Sequence, residues 1–388
     1  MSDDGRRVVI TGAGAATSLG TTLQASWQAW VEGKSGLAPL ALPQGPLCSS
    51  NLVGRVADFE AREQLRFPKA LKLMDRMSVL ACTAAREALA QAGFPNDADL
   101  PDLAISVGSG PSDMHLEQLG RAVQPDPELR SVSDIRFFGQ RILAAGLNPL
   151  WPLLTLPNMV SAHLAIQSGA RGPNSTLMTD WIAGAQAVGE AARLIRNREA
   201  ETVLAGGAES GGFALTIGVY QQAGLELARL DGPPGTLRGL AVGEAAAMVV
   251  LEEQAHALAR GARPLAEITG YACASGDLAR TLPSCMKTAL HGAGWEAQSI
   301  SWINRVAWPG ASLWPTEESA WREVFSRTPA VLELKPRLGH TFAASGALDL
   351  VFLLKCAAPG SHVICNCFGR HGETACLAFA ANEKEVSE

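Results

Sequence analysis

The sequence predicts an α/β protein made of two similar halves, and three observations carry that expectation. Strand-like runs rich in Val, Ile and Leu alternate with amphipathic runs along all 388 residues, which argues for parallel strands buried on both faces. The run Ala266-Glu267-Ile268-Thr269-Gly270 echoes Val8-Val9-Ile10-Thr11-Gly12 at the head of a second alternating series, a three-residue repeat that hints at duplication. Both series later contain a strand followed by a small-residue helix start, Thr179 to Ala185 in the first and Gly339 to Gly346 in the second.

Val8 to Thr11 is the first expected strand. Gly12-Ala13-Gly14 after it is expected to form a tight turn; a dinucleotide-binding Gly-x-Gly-x-x-Gly would need glycine where Thr17 stands. The Pro/Gly-rich stretch from Gly36 to Gly54 reads as a surface loop. Lys69 to Gly93 reads as a helix, with Leu71, Met74, Leu80, Ala84 and Leu89 near helical spacing and Gly93 as its stop. Leu103 to Val107 is a strand closed by Gly108-Ser109-Gly110. A helical stretch around Met114 to Val123, an irregular Pro-containing section and a helix near Val160 to Gln167 follow. Ser175 to Met178, Ile182 to Arg196 and Thr202 to Gly207 make a strand-helix-strand unit, and Ala246 to Leu251 is a further buried strand, with Glu252-Glu253 marking exposure after it.

Composition narrows the function classes. The chain is 47% hydrophobic and 18% charged with 39 Gly, the profile of a soluble globular protein with a large core. Its net charge is −6 with dispersed basic residues, so nucleic acid is not an expected partner. The opening MSDDGRRVVITG is not expected to act as a secretory signal. No run approaches the roughly 20 apolar residues of a membrane span. The eight Cys are scattered without paired spacing, which reads as reduced core thiols in a cytoplasmic protein and not as a zinc site.

The stretch TLMTDWIAGAQAVGEAARLI, Thr176 to Ile195, has the shape of an elbow where a strand turns into a helix. A thiolate placed there gains from the helix dipole and the unpaired amides, which lower its pKa. Yet Trp181 stands at the turn, between Asp180, Ile182 and Ala183. Asp180 reads as a helix N-terminal residue favoured by the dipole. Seven collinear blocks place this elbow in context: RRVVITGAGAATSLG, LKLMDRMSVLACTAAREALAQAG, LPNMVSAHLAIQSGARGPNSTLMTDWIAGAQAVGEAARLI, VLAGGAES, VGEAAAMVVLEE, LKPRLGHTFAASGAL and NCFGRHG. In order and content they resemble the β-ketoacyl-acyl carrier protein synthases over nearly the whole chain.

The resemblance implies a thiolase-like fold, two similar βαβ-type halves forming a layered α/β/α/β/α core. Residues 1–255 would be the half with the dimer interface and the degenerate elbow, and 256–388 the C-terminal half. In the family an elbow Cys takes an acyl group from a carrier protein, and two His assist decarboxylation and carbanion attack. Here the elbow Cys is replaced by Trp181 and the first His by Pro309, whereas Lys335 and His340 keep the Lys-x-x-x-Gly-His segment. In the gating loop, Asn366 to Gly372, Phe368 is kept and Arg370 replaces the usual Phe. Indole carbon forms no thioester, so the resemblance narrows to the inactive chain-length factor that pairs with a catalytic ketosynthase, with acyl carrier protein reaching the complex and no cofactor implied.

By the same analogy Met114, Leu116, Leu119, Phe137, Phe138 and Trp151 line the acyl cavity or the subunit interface, or pack their own core. Chain-length factors of aromatic polyketide synthesis usually carry Gln at the elbow, so Trp181 leaves aromatic polyketide and polyene products both open. Two alternatives stand beside this reading. One is a self-sufficient acyl-thioester decarboxylase or hydrolase using His340 and Asp180, and the other a purely structural scaffold partner.

Overall fold

The computed structural model describes residues 5–40, 52–111, 150–210, 213–225, 227–228, 239–308 and 310–382. The expected helix from Met114 to Val123, the cavity candidates Met114, Leu116, Leu119, Phe137 and Phe138, and Pro309 lie outside the described residues.

One ten-stranded sheet runs through the molecule. The first half contributes β1 (Val8–Thr17), β4 (Ala104–Ser109), β5 (Asn174–Leu177), β6 (Thr202–Glu209) and β8 (Ala245–Glu253). The second contributes β9 (Ala266–Ala274), β10 (Ile300–Asn304), β11 (Ala330–Leu332), β12 (His362–Phe368) and β13 (Thr374–Ala381). The spatial order is β11-β10-β12-β13-β9-β1-β8-β6-β4-β5. Counting each half's five strands in chain order, both read third-second-fourth-fifth-first from outer edge to seam. In both halves the second strand runs parallel to the third and fourth, and the fifth is antiparallel to its neighbours. The seam pairs Val8 with Ile268, Val9 with Glu267 and Ile10 with Ala266, which sets the two echoed segments side by side about a local two-fold. A small separate sheet joins β2 (Ala38–Pro39), β3 (Leu52–Gly54) and β7 (Val242–Gly243).

The duplicated layout is therefore the expected one, but the sheet is mixed and not parallel. Unbroken apolar runs report only that both faces are covered, and a sandwiched antiparallel strand is covered as fully as a parallel one. Two helices fill the middle layer: α5 (Ala183–Arg196) and α11 (Ser345–Cys356) pack on each other and on strands of both halves. Outside, α2 (Arg76–Gln91) and α4 (Met159–Ser168) cover the first half, and α8 (Leu278–Ala293) with α9 (Trp314–Val324) covers the second. This is the layered α/β/α/β/α arrangement. Its central cluster joins Val188 and Ile195 of α5, Leu350 and Phe352 of α11, and Val249, Leu251 and Phe379 of the strands.

Several local expectations need correction. Gly12 and Gly14 make no turn; they lie inside β1, where α2 crosses so closely that a Cβ would sit 2.0 Å from the Ala88 carbonyl oxygen and 2.2 Å from that of Ala84. The expected helix from Lys69 splits into a 3-10 turn, Pro68–Leu73, and α2. The break falls where Asp75 takes an extended backbone to accept a 2.8 Å hydrogen bond from the Ser78 amide, the usual N-cap geometry. Leu52–Gly54 of the expected surface loop is a buried strand. Glu252 is fully buried inside β8, accepting from Arg260 Nε at 2.7 Å and from the Thr11 hydroxyl, so its charge is paired and not exposed.

Candidate functional site

β5 delivers the chain to the elbow at the centre of the molecule. Asp180 opens a 3-10 turn, Asp180–Ile182, with φ of +52°, and α5 begins at Ala183. The second half repeats the device: Phe342 has φ of +37° in the turn Phe342–Ala344, and α11 begins at Ser345. Each left-handed residue stands three positions before its helix, and such strain persists only where surrounding packing over-determines it. Glycine lets the two elbows meet. A Cβ on Gly184 would lie 2.6 Å from the Ala343 carbonyl oxygen, and one on Gly346 would lie 2.5 Å from Ala185 Cβ.

Trp181 occupies the turn and is only 1% exposed. Its indole is boxed by four rings from three segments. His340 lies 4.5 Å away centroid to centroid, Trp308 5.7 Å, Phe342 6.2 Å and Tyr220 of α6 (Phe213–Gln222) 6.3 Å. The inter-ring angles of 53° to 66° are tilted or edge-on arrangements that aromatic quadrupoles favour. Indole Nε1 donates to the Tyr220 hydroxyl at 3.3 Å, so the one polar atom of the ring is satisfied. The Trp181 carbonyl accepts from Cys367 Sγ at 3.1 Å. Two well-formed cavities, of about 40 Å³ and about 420 Å³, have walls that include neither Trp181 nor any ring of its box.

His340 is 1% exposed and pinned by its backbone, whose N–H donates to the Ala241 carbonyl at 2.7 Å and whose carbonyl accepts from the Gly243 amide at 2.9 Å. Its Nδ1 accepts the Phe342 N–H at 2.9 Å, which assigns the remaining proton to Nε2. Nε2 is buried and has no hydrogen-bond partner among the described residues. Burial, and then the Lys335 charge, hold the imidazole well below its ordinary pKa, so it is neutral. Lys335, in α10 (Lys335–Leu338), stands with Nζ 4.0 Å from Asp349 Oδ2. Asp349 also accepts from Asn304 Nδ2 at 2.7 Å, and Asn304 clamps the backbone of Asn366 through both its amide atoms, at 2.8 and 2.7 Å. Burial pushes the Asp349 carboxyl up to about 6. The Lys335 partner is thus Asp349, and the network fixes the strand that leads into the Phe368 to Arg370 segment.

Phe368 ends β12 and is 1% exposed in the same apolar cluster as Trp181. Arg370 follows in the turn with its guanidinium 5.7 Å from the centre of the Tyr220 ring and Nε 3.0 Å from His371 Nε2. Cys367 lies within β12 and not in a loop; burial pushes its thiol up to about 12. Asp180 is exposed and stands in the first turn of the 3-10 segment that runs into α5, the N-terminal position expected of it, and its carboxylate makes no cap bond to α5. Partial desolvation and the charge of Glu373 hold it above the ordinary carboxylate range. Trp151 begins the short helix α3 (Trp151–Thr155), which packs on α4 and on the Pro68–Leu73 turn.

Sequence reasoning singled out Trp181 and His340 but not the ring box around them. Trp308 immediately precedes Pro309, and Tyr220 is one of only two tyrosines, yet no spacing marked either as a neighbour of the elbow. Asp349 carried a signal, as the lone acid in the otherwise apolar Gly346 to Leu354 run. Among the described residues the turn itself carries no thiol or hydroxyl: Trp181 presents an indole, the Cys367 thiol is buried with its pKa pushed up to about 12, and the His340 ring lies against the indole. Among the described residues no three His, Cys, Asp or Glu are grouped to hold a metal ion, and no helix is long and apolar enough to cross a membrane.

A duplicated fold whose two elbows meet at its centre, with a Lys-x-x-x-Gly-His segment against the first, defines a ketosynthase-type protein of thiolase-like fold. The chain belongs to the β-ketoacyl synthase family: that family's N-terminal domain matches residues 5–257 and its C-terminal domain residues 265–361. It is similar to 3-oxoacyl-acyl-carrier-protein synthase 2 of Coxiella burnetii, with 29% identity over 89% of this chain and 84% of that protein. The Vibrio harveyi protein of the same name is 28% identical with the same coverage. A β-ketoacyl synthase from Burkholderia phymatum superposes with a TM-score of 0.79 at 26% identity, covering 97% of this chain and 99% of that one. The ishigamide ketosynthase/chain length factor gives the same TM-score and coverage at 24% identity, a likeness of fold.

Proposed function

We propose that this chain is the non-catalytic chain-length factor of a two-subunit ketosynthase. It pairs with an active ketosynthase subunit and walls the cavity in which a growing polyketide or polyene acyl chain extends. The observation that carries this reading is the buried indole of Trp181 at the elbow where the chemistry of the family needs sulfur. The partner supplies the Cys and both His, and acyl carrier protein delivers its cargo through the complex. The 3-oxoacyl-acyl-carrier-protein synthase relatives make a family role in acyl-thioester condensation the natural context. A cytoplasmic location goes with the proposal, since seven described cysteines are free thiols.

The work done by this chain is steric. An extending acyl chain gains about 0.8 kcal/mol for each CH2 it buries. Forcing extra methylenes into a packed wall costs about 1–3 kcal/mol, so growth stalls once the wall is met. Trp151, together with Met114, Leu116, Leu119, Phe137 and Phe138, is the proposed wall or interface set, and Phe368 and Arg370 shape the loop beside the filled elbow. Self-sufficient decarboxylation or hydrolysis finds no support: Nδ1 of His340 is taken by a backbone amide, its ring lies against the indole, and Asp180 is exposed in a turn.

Co-expression with a ketosynthase encoded in the neighbouring reading frame tests the proposal. A stable 1:1 complex is expected, and Trp151→Ala in that complex is expected to lengthen the product. A well-behaved homodimer that ignores the ketosynthase contradicts the proposal, and unchanged product length with intact assembly assigns the chain a scaffold role instead.

A further inference from the structure

The seam between the two halves opens into a wedge that the filled elbow does not involve. β9 pairs with β1 only from Val8 to Ile10, and the Leu265 N–H to Ile10 carbonyl bond of 2.7 Å is the last across the seam. β1 then continues to Thr17 with β8 on one side alone. On its open side the Ala13 amide donates to Gln91 Oε1 at 2.8 Å and the Ala15 amide to Glu87 Oε2 at 2.9 Å, so side chains of α2 stand in for the missing strand. The C-terminal end of α11 does not close the gap. What remains is a cavity of about 420 Å³, within the rough 300–1,000 Å³ range of small-molecule sites.

Its walls combine two chemistries. Ala13, Leu23 and Val351 are buried in the floor, and Leu265 and Leu354 line the sides. Among the described residues of the lining, Arg263 and Lys355 are the charged ones and none is a carboxylate. Lys355 Nζ donates to the neutral Gln24 Oε1 at 3.0 Å, and its charge also acts on the Glu87 carboxylate of α2. The nearest acid on α2, Glu87, is engaged by the Ala15 and Leu23 amides. A full positive charge on Lys355 in the last turn of α11 outweighs the half charge of that helix's terminal carbonyls. Apolar walls bearing two cations and, among the described residues, no carboxylate select an anionic amphiphile: the alkyl part gains by burial, and the head group gains charge-assisted hydrogen bonds.

We propose that this wedge binds a medium-chain alkyl carboxylate, with the tail between Leu23, Leu265, Val351 and Leu354 and the carboxylate at Arg263 and Lys355. Neither Trp151 nor the rings of the elbow belong to its lining, and the site stands whatever becomes of the chain-length proposal. Decanoate is the probe, titrated calorimetrically into the protein in the form in which it purifies, alone or with its partner. Saturable binding is expected, weakened roughly ten-fold or more by Arg263→Met, with decanol binding far more weakly than decanoate. Arg263 is exposed, so Arg263→Met is expected to leave the thermal midpoint unchanged. A decanoate analogue with a photoreactive diazirine on its tail locates the site: crosslinks are expected on peptides holding Leu265 and Val351 to Ala357. Crosslinks confined to other segments, equal binding of decanol, an unaltered Arg263→Met affinity, or no saturation up to the solubility limit each overturn the proposal.

Discussion

At the scale of single residues, Trp181 fills the volume that Tyr220, Trp308, His340 and Phe342 enclose. Trp181→Ala should lose about 3–5 kcal/mol of stability through the cavity it leaves, read from denaturant midpoints; a loss below about 1 kcal/mol would mean the ring is not a packed plug. Trp181→Cys should not restore condensation, because the position of the first imidazole holds Pro309; a radiolabelled condensation product from that variant alone would show otherwise. His340 gives a pH signature. Its folded pKa lies well below the ordinary 6.5, so the unfolded chain takes up a proton first and stability falls as pH drops through about 6.5. The stability advantage of wild type over His340→Gln should therefore shrink between pH 7.5 and 5.5, measured by denaturation at both. The replacement of sulfur by indole was legible from the motif order; the ring box was not, because Tyr220, Trp308 and the His340 to Phe342 segment lie far apart in the chain and far from Trp181.

At the scale of elements, the glycines of β1 show why local pattern misleads. Gly12-Ala13-Gly14 has turn composition, yet the residues are strand, and glycine is there because α2 crosses at backbone contact distance. Gly12→Ala puts a methyl against the Ala88 carbonyl and should cost several kcal/mol or prevent folding, whereas substitution at a mere turn would cost little; thermal denaturation of the two proteins decides it. Strand and helix alternation was readable because burial and periodicity are local properties, and α4, α5 and β6 lie within a residue or two of expectation. Strand direction was not readable, since pairing partners are chosen by tertiary packing. Glu252 misled for a related reason: an acid at a strand end usually meets water, and only the fold brings Arg260 and Thr11 to it.

At the scale of the whole molecule, two copies of one strand order meet at a seam, and each contributes an elbow to the centre. In a catalytic relative such a centre would hold reacting groups; here rings fill the first elbow, and the Lys335, Asp349 and Asn304 network braces the strand beside it. On this account the polar residues that remain are kept for shape, and the space that matters lies at the interface with another subunit. The most direct test is the intact mass of both subunits of the purified complex after incubation with acyl-loaded carrier protein. The account predicts an acyl adduct on the ketosynthase subunit and an unchanged mass for this chain. An acyl adduct on this chain, at any side chain, would contradict it.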